Sequence, residues 1–157
     1  GMKKAYFLLL LLPLGSFIYF MDFSDSWPNN FEAAQRESKV SGEPILLYFS
    51  GSDWCGTCMQ LKKQVLDSET FQNYASENLI LMQADFPRQK KNQLSNELKK
   101  QNETLAEKYN SNGIFPRLLL LSPDGKVLKD WQGYTGMKAE TFINQLKGCG
   151  STPQKTI

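Results

Sequence analysis

Four apolar stretches of the chain have the length of β-strands and are bounded by turn-forming residues. The first lies between Pro44 and Gly51 and is apolar almost throughout, which is typical of a central strand buried on both faces. The last two flank the sequence SPDG, whose proline and glycine favour a tight turn, so we expect them to pair as an antiparallel hairpin. The predicted strands cover residues 45–51, 79–85, 118–121 and 127–131.

Segments with apolar residues at helical spacing precede, separate and follow these strands. Asn30 and Ser68 stand where the N-caps of two of these helices are expected. The segment from Gln89 to Asn110 is rich in lysine and carries apolar residues every one or two turns, so we interpret it as one amphipathic helix. Its lysines, residues 90, 91, 99 and 100, indicate a solvated helix face, with a docking surface for a partner as the alternative. The other predicted helices cover residues 30–40, 55–66, 69–78 and 138–148.

The order of these elements predicts the architecture. Strands and helices alternate in the first part of the chain, and a hairpin followed by a helix closes it. Right-handed crossovers would make the early strands parallel, whereas the hairpin adds an antiparallel pair. We therefore expect an α/β fold with a central mixed sheet of four strands and helices on both faces.

Composition and charge narrow the class of protein. The chain has 157 residues, 41% of them hydrophobic and 22% charged, which is typical of one globular domain with a short extension. The net charge is +2, and the lysines and arginines form no basic stripe interleaved with aromatic residues. We therefore expect no nucleic-acid partner.

The first residues resemble an export signal. Gly1 precedes Met2 and is attributed to expression cloning, and Lys3 and Lys4 then precede an apolar run over residues 5–21. This pattern indicates a signal peptide or a membrane anchor, and the two lysines place the following chain outside the cytoplasm. We expect an exported protein that is soluble after cleavage or anchored through residues 5–21. The alternative is a buried N-terminal helix of the domain.

The sequence contains three cysteines and no histidine. Without histidine, Ser-His-Asp and Cys-His nucleophile pairs and the usual Cys/His zinc sites are excluded. Cys55 and Cys58 form a C-x-x-C pair directly after the first predicted strand. The pair is a redox centre, half of a metal site or a structural disulfide; the shortage of further ligands and the small loop favour the redox centre. We expect Cys149 to be an inert thiol, with an intermolecular disulfide as the alternative.

The position of the pair predicts a different role for each cysteine. Cys55 is expected at the N-terminus of a helix, where unpaired N–H groups and the helix dipole stabilise a thiolate. Cys58 is one turn further along and is expected to be shielded from solvent. We therefore predict that Cys55 attacks a substrate disulfide and that Cys58 resolves the resulting mixed disulfide.

Several motifs resemble those of the thioredoxin superfamily. They are DWCGTC at residues 53–58 after a buried strand, FP at residues 115–116 before a strand-turn-strand, and the closing amphipathic helix. The runs at residues 51–87 and 105–128 are similar to exported thioredoxin-like proteins related to the C-terminal domain of periplasmic thiol-disulfide interchange proteins. The resemblance extends over residues 31–147 and implies a thioredoxin-like fold.

The resemblance also implies the site residues. Cys55 matches the nucleophile and Cys58 the resolving cysteine, so the redox-active disulfide itself is the only group required, with no metal and no further cofactor. Trp54 matches the aromatic residue that flanks the pair. Pro116 matches a cis-proline that faces the disulfide, and Phe115 before it would offer backbone groups to the substrate chain.

The sequence departs from the family pattern in two places. Many thioredoxins carry a buried acid six residues before the nucleophile, but Phe49 stands there in this chain. Gly56 and Thr57 replace the Gly-Pro that often separates the cysteines, which leaves the redox potential open. Asp53 is the nearest acid in sequence, and we expect it to face solvent, where its charge would oppose thiolate formation.

These observations predict an exported, periplasmic thiol-disulfide oxidoreductase. It would exchange disulfides with protein substrates and with an upstream redox partner, with reduction favoured over oxidation. The alternative is a non-catalytic scaffold module that keeps the fold and binds a partner through the Phe115 surface. We divide the chain into a signal or anchor with a linker at residues 1–26, a thioredoxin-like domain at 27–150 and a flexible tail at 151–157.

Overall fold

A computed structural model describes residues 27–148 of the chain. Within this range the first helix α1 precedes strand β1, and helices α2 and α3 precede strand β2. Helix α4 leads into the hairpin of β3 and β4, and helix α5 follows. The bounds are α1 Phe31–Ser41, β1 Ile45–Ser50, α2 Gly56–Leu61, α3 Glu69–Asn78, β2 Ile80–Asp85, α4 Asn96–Tyr109, β3 Arg117–Leu121, β4 Val127–Gln132 and α5 Ala139–Lys147.

The four strands form one mixed sheet in the order β2-β1-β3-β4. β1 runs parallel to β2, with Ser50 opposite Asp85 at the end that leads to the cysteine pair. β3 runs antiparallel to β1 and β4, and the register shifts by a bulge between Leu120 and Leu121. The mixed sheet of four strands that the sequence predicted is therefore confirmed.

Alternate side chains of β1 pack into separate cores on the two faces of the sheet. Leu46 and Tyr48 belong to the core that includes buried residues of α2, α3 and α5, whereas Ile45, Leu47 and Phe49 belong to the core that includes residues of α1 and α4. A strand turns successive side chains to opposite faces, which explains why β1 is apolar almost throughout. Each fully buried leucine or phenylalanine contributes about 1.5–3 kcal/mol to stability.

Side-chain caps define where several helices begin. The Asn30 side chain accepts a hydrogen bond from the backbone N–H of Ala33, and the Ser68 hydroxyl accepts one from Phe71, as the sequence predicted. Such caps satisfy N–H groups that the first helical turn leaves unpaired.

The predicted single helix over residues 89–110 is wrong in its first part. Only Asn96–Tyr109 is α-helical, because the Ser95 side chain caps the helix by accepting from the N–H of Leu98. The preceding residues form a short 3-10 helix at Lys90–Asn92. Lys90 and Lys91 therefore lie on the loop after β2, whereas the lysines at 99 and 100 lie on α4.

The helix that carries Cys58 begins one residue later than predicted, and its second part is a π-helix. Cys55 is the N-cap, α2 begins at Gly56, and the chain continues as a π-helical turn at Lys62–Leu66. Within residues 27–148, no helix is both long enough and apolar enough to cross a membrane. The predicted signal or anchor at residues 5–21 and Cys149 lie outside the described residues.

Candidate redox site

Cys55 and Cys58 are joined by a disulfide at the start of α2. Their Cα atoms are 5.2 Å apart, within the usual range for such bonds. The backbone N–H of Cys58 donates a hydrogen bond of 3.1 Å to the sulfur of Cys55. The relative solvent exposure of Cys55 is 6% and that of Cys58 is 1%. Solvent therefore reaches Cys55 more readily than Cys58.

A tight turn carries the chain from β1 to the disulfide. The backbone N–H groups of Trp54 and Cys55 donate to the carbonyl of Gly51 at 3.2 and 2.9 Å. A Cβ atom placed on Gly51 would overlap the indole ring of Trp54. Only glycine therefore allows the ring to lie against this turn.

The carboxylate of Asp85 fixes the first half of the turn to the end of β2. It accepts hydrogen bonds from the Ser50 hydroxyl at 2.8 Å and from the Ser52 backbone N–H at 2.9 Å. The Ser52 hydroxyl donates to its second oxygen. The amide of Asn102 on α4 donates to the Asp85 carbonyl at 3.0 Å, which ties this helix to the same point.

The carboxylate of Asp53 fixes the second half of the turn to the loop after β2. It accepts from the backbone N–H groups of Arg88 at 2.9 Å and Gln89 at 3.0 Å, and from the Asn92 side chain at 3.0 Å. These bonds, led by that from Arg88, hold the pKa of Asp53 below its usual value. The carboxylate was expected only to face solvent, and its use as a cap for this loop was missed in the sequence.

Trp54 belongs to an aromatic cluster next to the disulfide. Its indole N–H donates to the carbonyl of Phe86 at 2.7 Å. Its ring meets Phe115 edge to face at 5.4 Å between centroids, and Phe115 meets Phe86 in the same manner at 5.5 Å. The structure thus brings the predicted Trp54 and Phe115 together and adds Phe86, which the sequence analysis did not identify.

The peptide bond between Phe115 and Pro116 is cis. Pro116 is buried, and its carbonyl accepts a hydrogen bond of 2.8 Å from the N–H of Gly133. The next residue, Arg117, donates two side-chain hydrogen bonds to the carboxylate of Asp130 on β4, at 3.0 and 2.7 Å. The Arg117 hydrogen bond holds the pKa of Asp130 below its usual value.

The buried acid that many thioredoxins carry six residues before the nucleophile is replaced by Phe49 in this chain. Phe49 is fully buried there and packs among apolar residues. The hydroxyl of Tyr48 donates a hydrogen bond of 3.3 Å to the Cys58 carbonyl. Burial, followed by the charges of Asp85 and Asp67, raises the pKa of this hydroxyl, so it stays neutral at physiological pH.

Metal ligands are sparse in the described part of the chain. Within residues 27–148, no group of three or more His, Cys, Asp or Glu side chains is arranged to hold a metal ion. Asp53 lies two residues before Cys55, and the carboxylate oxygens of both Asp53 and Asp85 accept hydrogen bonds from protein donors.

This chain matches known proteins over most of its length. A family model described as a thioredoxin-like domain matches residues 31–148. The disulfide bond reductase DsbH of Chlamydia pneumoniae is 36% identical over 121 residues, which cover 77% of this chain and 70% of that protein.

Solved structures agree with the fold. One described as DsbH oxidoreductase superposes with a TM-score of 0.71 at 31% identity, covering 79% of this chain and 83% of that one. The oxidised C-terminal domain of Neisseria meningitidis DsbD superposes with a TM-score of 0.54 at 18% identity, covering 78% of this chain and 98% of that domain. At this identity the similarity to the DsbD domain supports the fold alone.

Proposed function

The chain belongs to the thioredoxin-like family of thiol-disulfide oxidoreductases, and on that premise we propose that it reduces disulfides of exported proteins through Cys55 and Cys58. The observation that carries the proposal is the disulfide at the start of α2, in which Cys55 retains 6% relative solvent exposure and Cys58 only 1%. The aromatic pair of Trp54 and Phe115 borders this point, where a substrate chain would lie.

The reduction proceeds in two exchanges. The Cys55 thiolate attacks one sulfur of the substrate disulfide, forms a Cys55–substrate disulfide and releases the other substrate sulfur as a thiolate, which takes up a proton. The Cys58 thiolate then attacks the sulfur of Cys55, forms the Cys55–Cys58 disulfide and releases the second substrate thiolate. Two electrons pass to the substrate, and a dithiol donor must return two electrons before the next cycle.

The backbone around Cys55 supports its role as nucleophile. Cys55 is the N-cap of α2, and the N–H of Cys58 points at its sulfur. A donor in this position and the positive end of the helix stabilise negative charge on sulfur. Cys58 is buried behind it and is therefore protected from direct attack by external disulfides.

The proposed direction of electron transfer and the proposed cellular location of the protein rest on different observations. Similarity to a protein described as a disulfide bond reductase supports reduction. The two lysines and the apolar run at residues 5–21 support export to an oxidising compartment, where disulfides persist. Substrates would be proteins with accessible disulfides, and a membrane-anchored or soluble dithiol protein would supply the electrons.

A turbidity assay of insulin reduction with dithiothreitol tests the activity. The wild type is expected to accelerate precipitation of the insulin chains, and Cys55→Ser is expected to fall to the rate of dithiothreitol alone. Equal rates for both proteins would exclude catalysis and favour a scaffold module. Equilibration of the pair with glutathione buffers tests the direction, and a potential near about −120 mV, typical of strong oxidants, would contradict reduction.

Cys58→Ser separates the two exchanges. This variant retains the attacking sulfur but lacks the resolving one, so it is expected to accumulate mixed disulfides with its substrates. The adducts can be isolated from the exported fraction without reductant and identified by mass spectrometry. Cys55→Ser is the matched control, because Cys58 is buried and is expected to form far fewer adducts.

A further inference from the structure

A cluster of positive charge borders the redox site on the loop after β2. Arg88, Lys90 and Lys91 all lie on this loop, and all three side chains are exposed. Within residues 27–148 the ion pairs join other residues, and no carboxylate lies within ion-pair distance of these three side chains. These charges are therefore available to a partner.

Arg88 is the member of this cluster that is held directly against the site. The centre of its guanidinium lies 3.8 Å from the centroid of the Trp54 ring. Trp54 immediately precedes Cys55, and its ring also meets the ring of Phe115 edge to face. A guanidinium stacked on an aromatic ring keeps its N–H edges free to bind a carboxylate.

The backbone of the loop is fixed to the active-site turn as well. Asp53 accepts hydrogen bonds from the N–H groups of Arg88 and Gln89 and from the side chain of Asn92. These hydrogen bonds fasten the loop to the active-site turn. Because the oxygens of Asp53 are occupied by these donors, the local acid does not pair with the three basic side chains.

From this arrangement we infer that the protein selects substrates with acidic residues close to the reactive disulfide. The inference rests on the proposed reduction of protein disulfides and adds the substrate class. A substrate cysteine that reaches Cys55 would bring its neighbouring residues over Trp54, where Arg88 can bind a carboxylate. Lys90 and Lys91 would attract the same acidic segment from a longer distance and raise the rate of encounter.

Short peptides with one internal disulfide test this substrate preference. Three peptides of one sequence would carry two Glu, two Gln or two Lys next to a cysteine. Pre-reduced protein is mixed with each peptide, and the second-order rate constant of a single turnover is measured from the loss of peptide disulfide. The ratio of the Glu rate to the Gln rate is the readout, because it cancels any general change of reactivity.

The wild type is expected to prefer the Glu peptide over the Gln peptide and the Gln peptide over the Lys peptide. Arg88→Gln should lower the Glu-to-Gln ratio by about two- to five-fold, the range of one exposed ion pair. Arg88→Lys should retain much of the ratio because it keeps the charge. The preference should also weaken as salt rises from about 0.05 M to about 0.5 M, because screening shortens the reach of exposed charges.

Lys126→Gln is the matched control for charge. Lys126 is exposed in the turn between β3 and β4, and this turn lies at the end of the sheet opposite the disulfide. The Glu-to-Gln rate ratio of Lys126→Gln should equal that of the wild type. A wild type without preference, or an equal loss of ratio in Lys126→Gln, would overturn the substrate preference alone. A pre-reduced wild type that reduces none of the peptides would overturn the proposed reduction itself.

Discussion

The indole nitrogen of Trp54 donates a 2.7 Å hydrogen bond to the carbonyl oxygen of Phe86. The residue before the disulfide is thereby attached to the chain that leaves β2, across 32 positions of sequence. The same ring lies against Gly51, Phe115 and Arg88. Trp54 therefore determines the position of the active-site turn as well as part of the surface that a substrate would contact.

Trp54→Phe removes this hydrogen bond and is expected to lower both stability and activity. The free energy of unfolding should fall by about 1–2 kcal/mol, the contribution of one partly buried hydrogen bond and its lost packing. Urea unfolding and the insulin assay measure the two effects. Trp131→Phe is the control, since its indole donates at 2.7 Å to Gln145 on α5. A similar loss of activity in both variants would contradict a local role of Trp54.

Gly51→Ala is expected to displace the Trp54 ring, because the new Cβ would overlap it. Overpacking of this kind costs about 1–3 kcal/mol and should lower the midpoint of thermal unfolding. Gly56→Ala is the matched control, because a Cβ at Gly56 meets no atom within 4 Å. The control should unfold at the wild-type temperature or slightly above it, since alanine favours the helix. Equal midpoints for all three proteins would contradict the close contact.

Asp130→Asn tests the anchor that follows the cis-proline. The pKa of Asp130 lies below its ordinary value of 3.8, so its charged form stabilises the folded state above that pH. This stabilisation is lost as the pH falls through the folded pKa. At pH 7 the variant should be less stable by about 1 kcal/mol, because the pair with Arg117 is partly solvated.

The difference between wild type and Asp130→Asn should narrow as the pH falls below 3.8, because the carboxyl of the unfolded chain takes up a proton there and that of the folded protein follows at lower pH. Chemical unfolding at a series of pH values measures it. Glu32→Gln is the control, because it removes an ion pair with Arg36 in which both side chains are largely exposed. That change should stay within about 0.5 kcal/mol. A difference for Asp130→Asn that is constant down to pH 2 would contradict the lowered pKa.

Tyr48→Phe is expected to have little effect on the rate of reduction. The Tyr48 hydroxyl is neutral because burial raises its pKa, and the Cys58 carbonyl also accepts from the N–H of Lys62. Removing the hydroxyl should cost about 1 kcal/mol or less in stability. The pH dependence of insulin reduction between about pH 6 and 9 should match that of the wild type. A ten-fold slower rate or a shifted profile would show that Tyr48 handles a proton of Cys58.

The local sequence was sufficient for most of the elements. Proline and glycine at residues 44, 51 and 87, together with the apolar runs between them, predicted β1 and β2 to within a residue or two. Asn30 and Ser68 predicted two helix starts. The start of α4 was missed because lysine and glutamine suit a helix equally well throughout 89–110, and the Ser95 cap at its true start was not recognised.

The sequence by itself determined the position of the cysteine pair at the junction of β1 and α2 and the mixed sheet of four strands, because these follow from short-range periodicity, spacing and general rules of connection. Only the tertiary structure decided that Asp53 holds the loop at 88–92, that Asp85 holds Ser50 and Ser52, and that Phe86 joins Trp54. These contacts join residues more than 30 positions apart. No periodicity encodes such distances; they arise because β1 and β2 run parallel and end side by side.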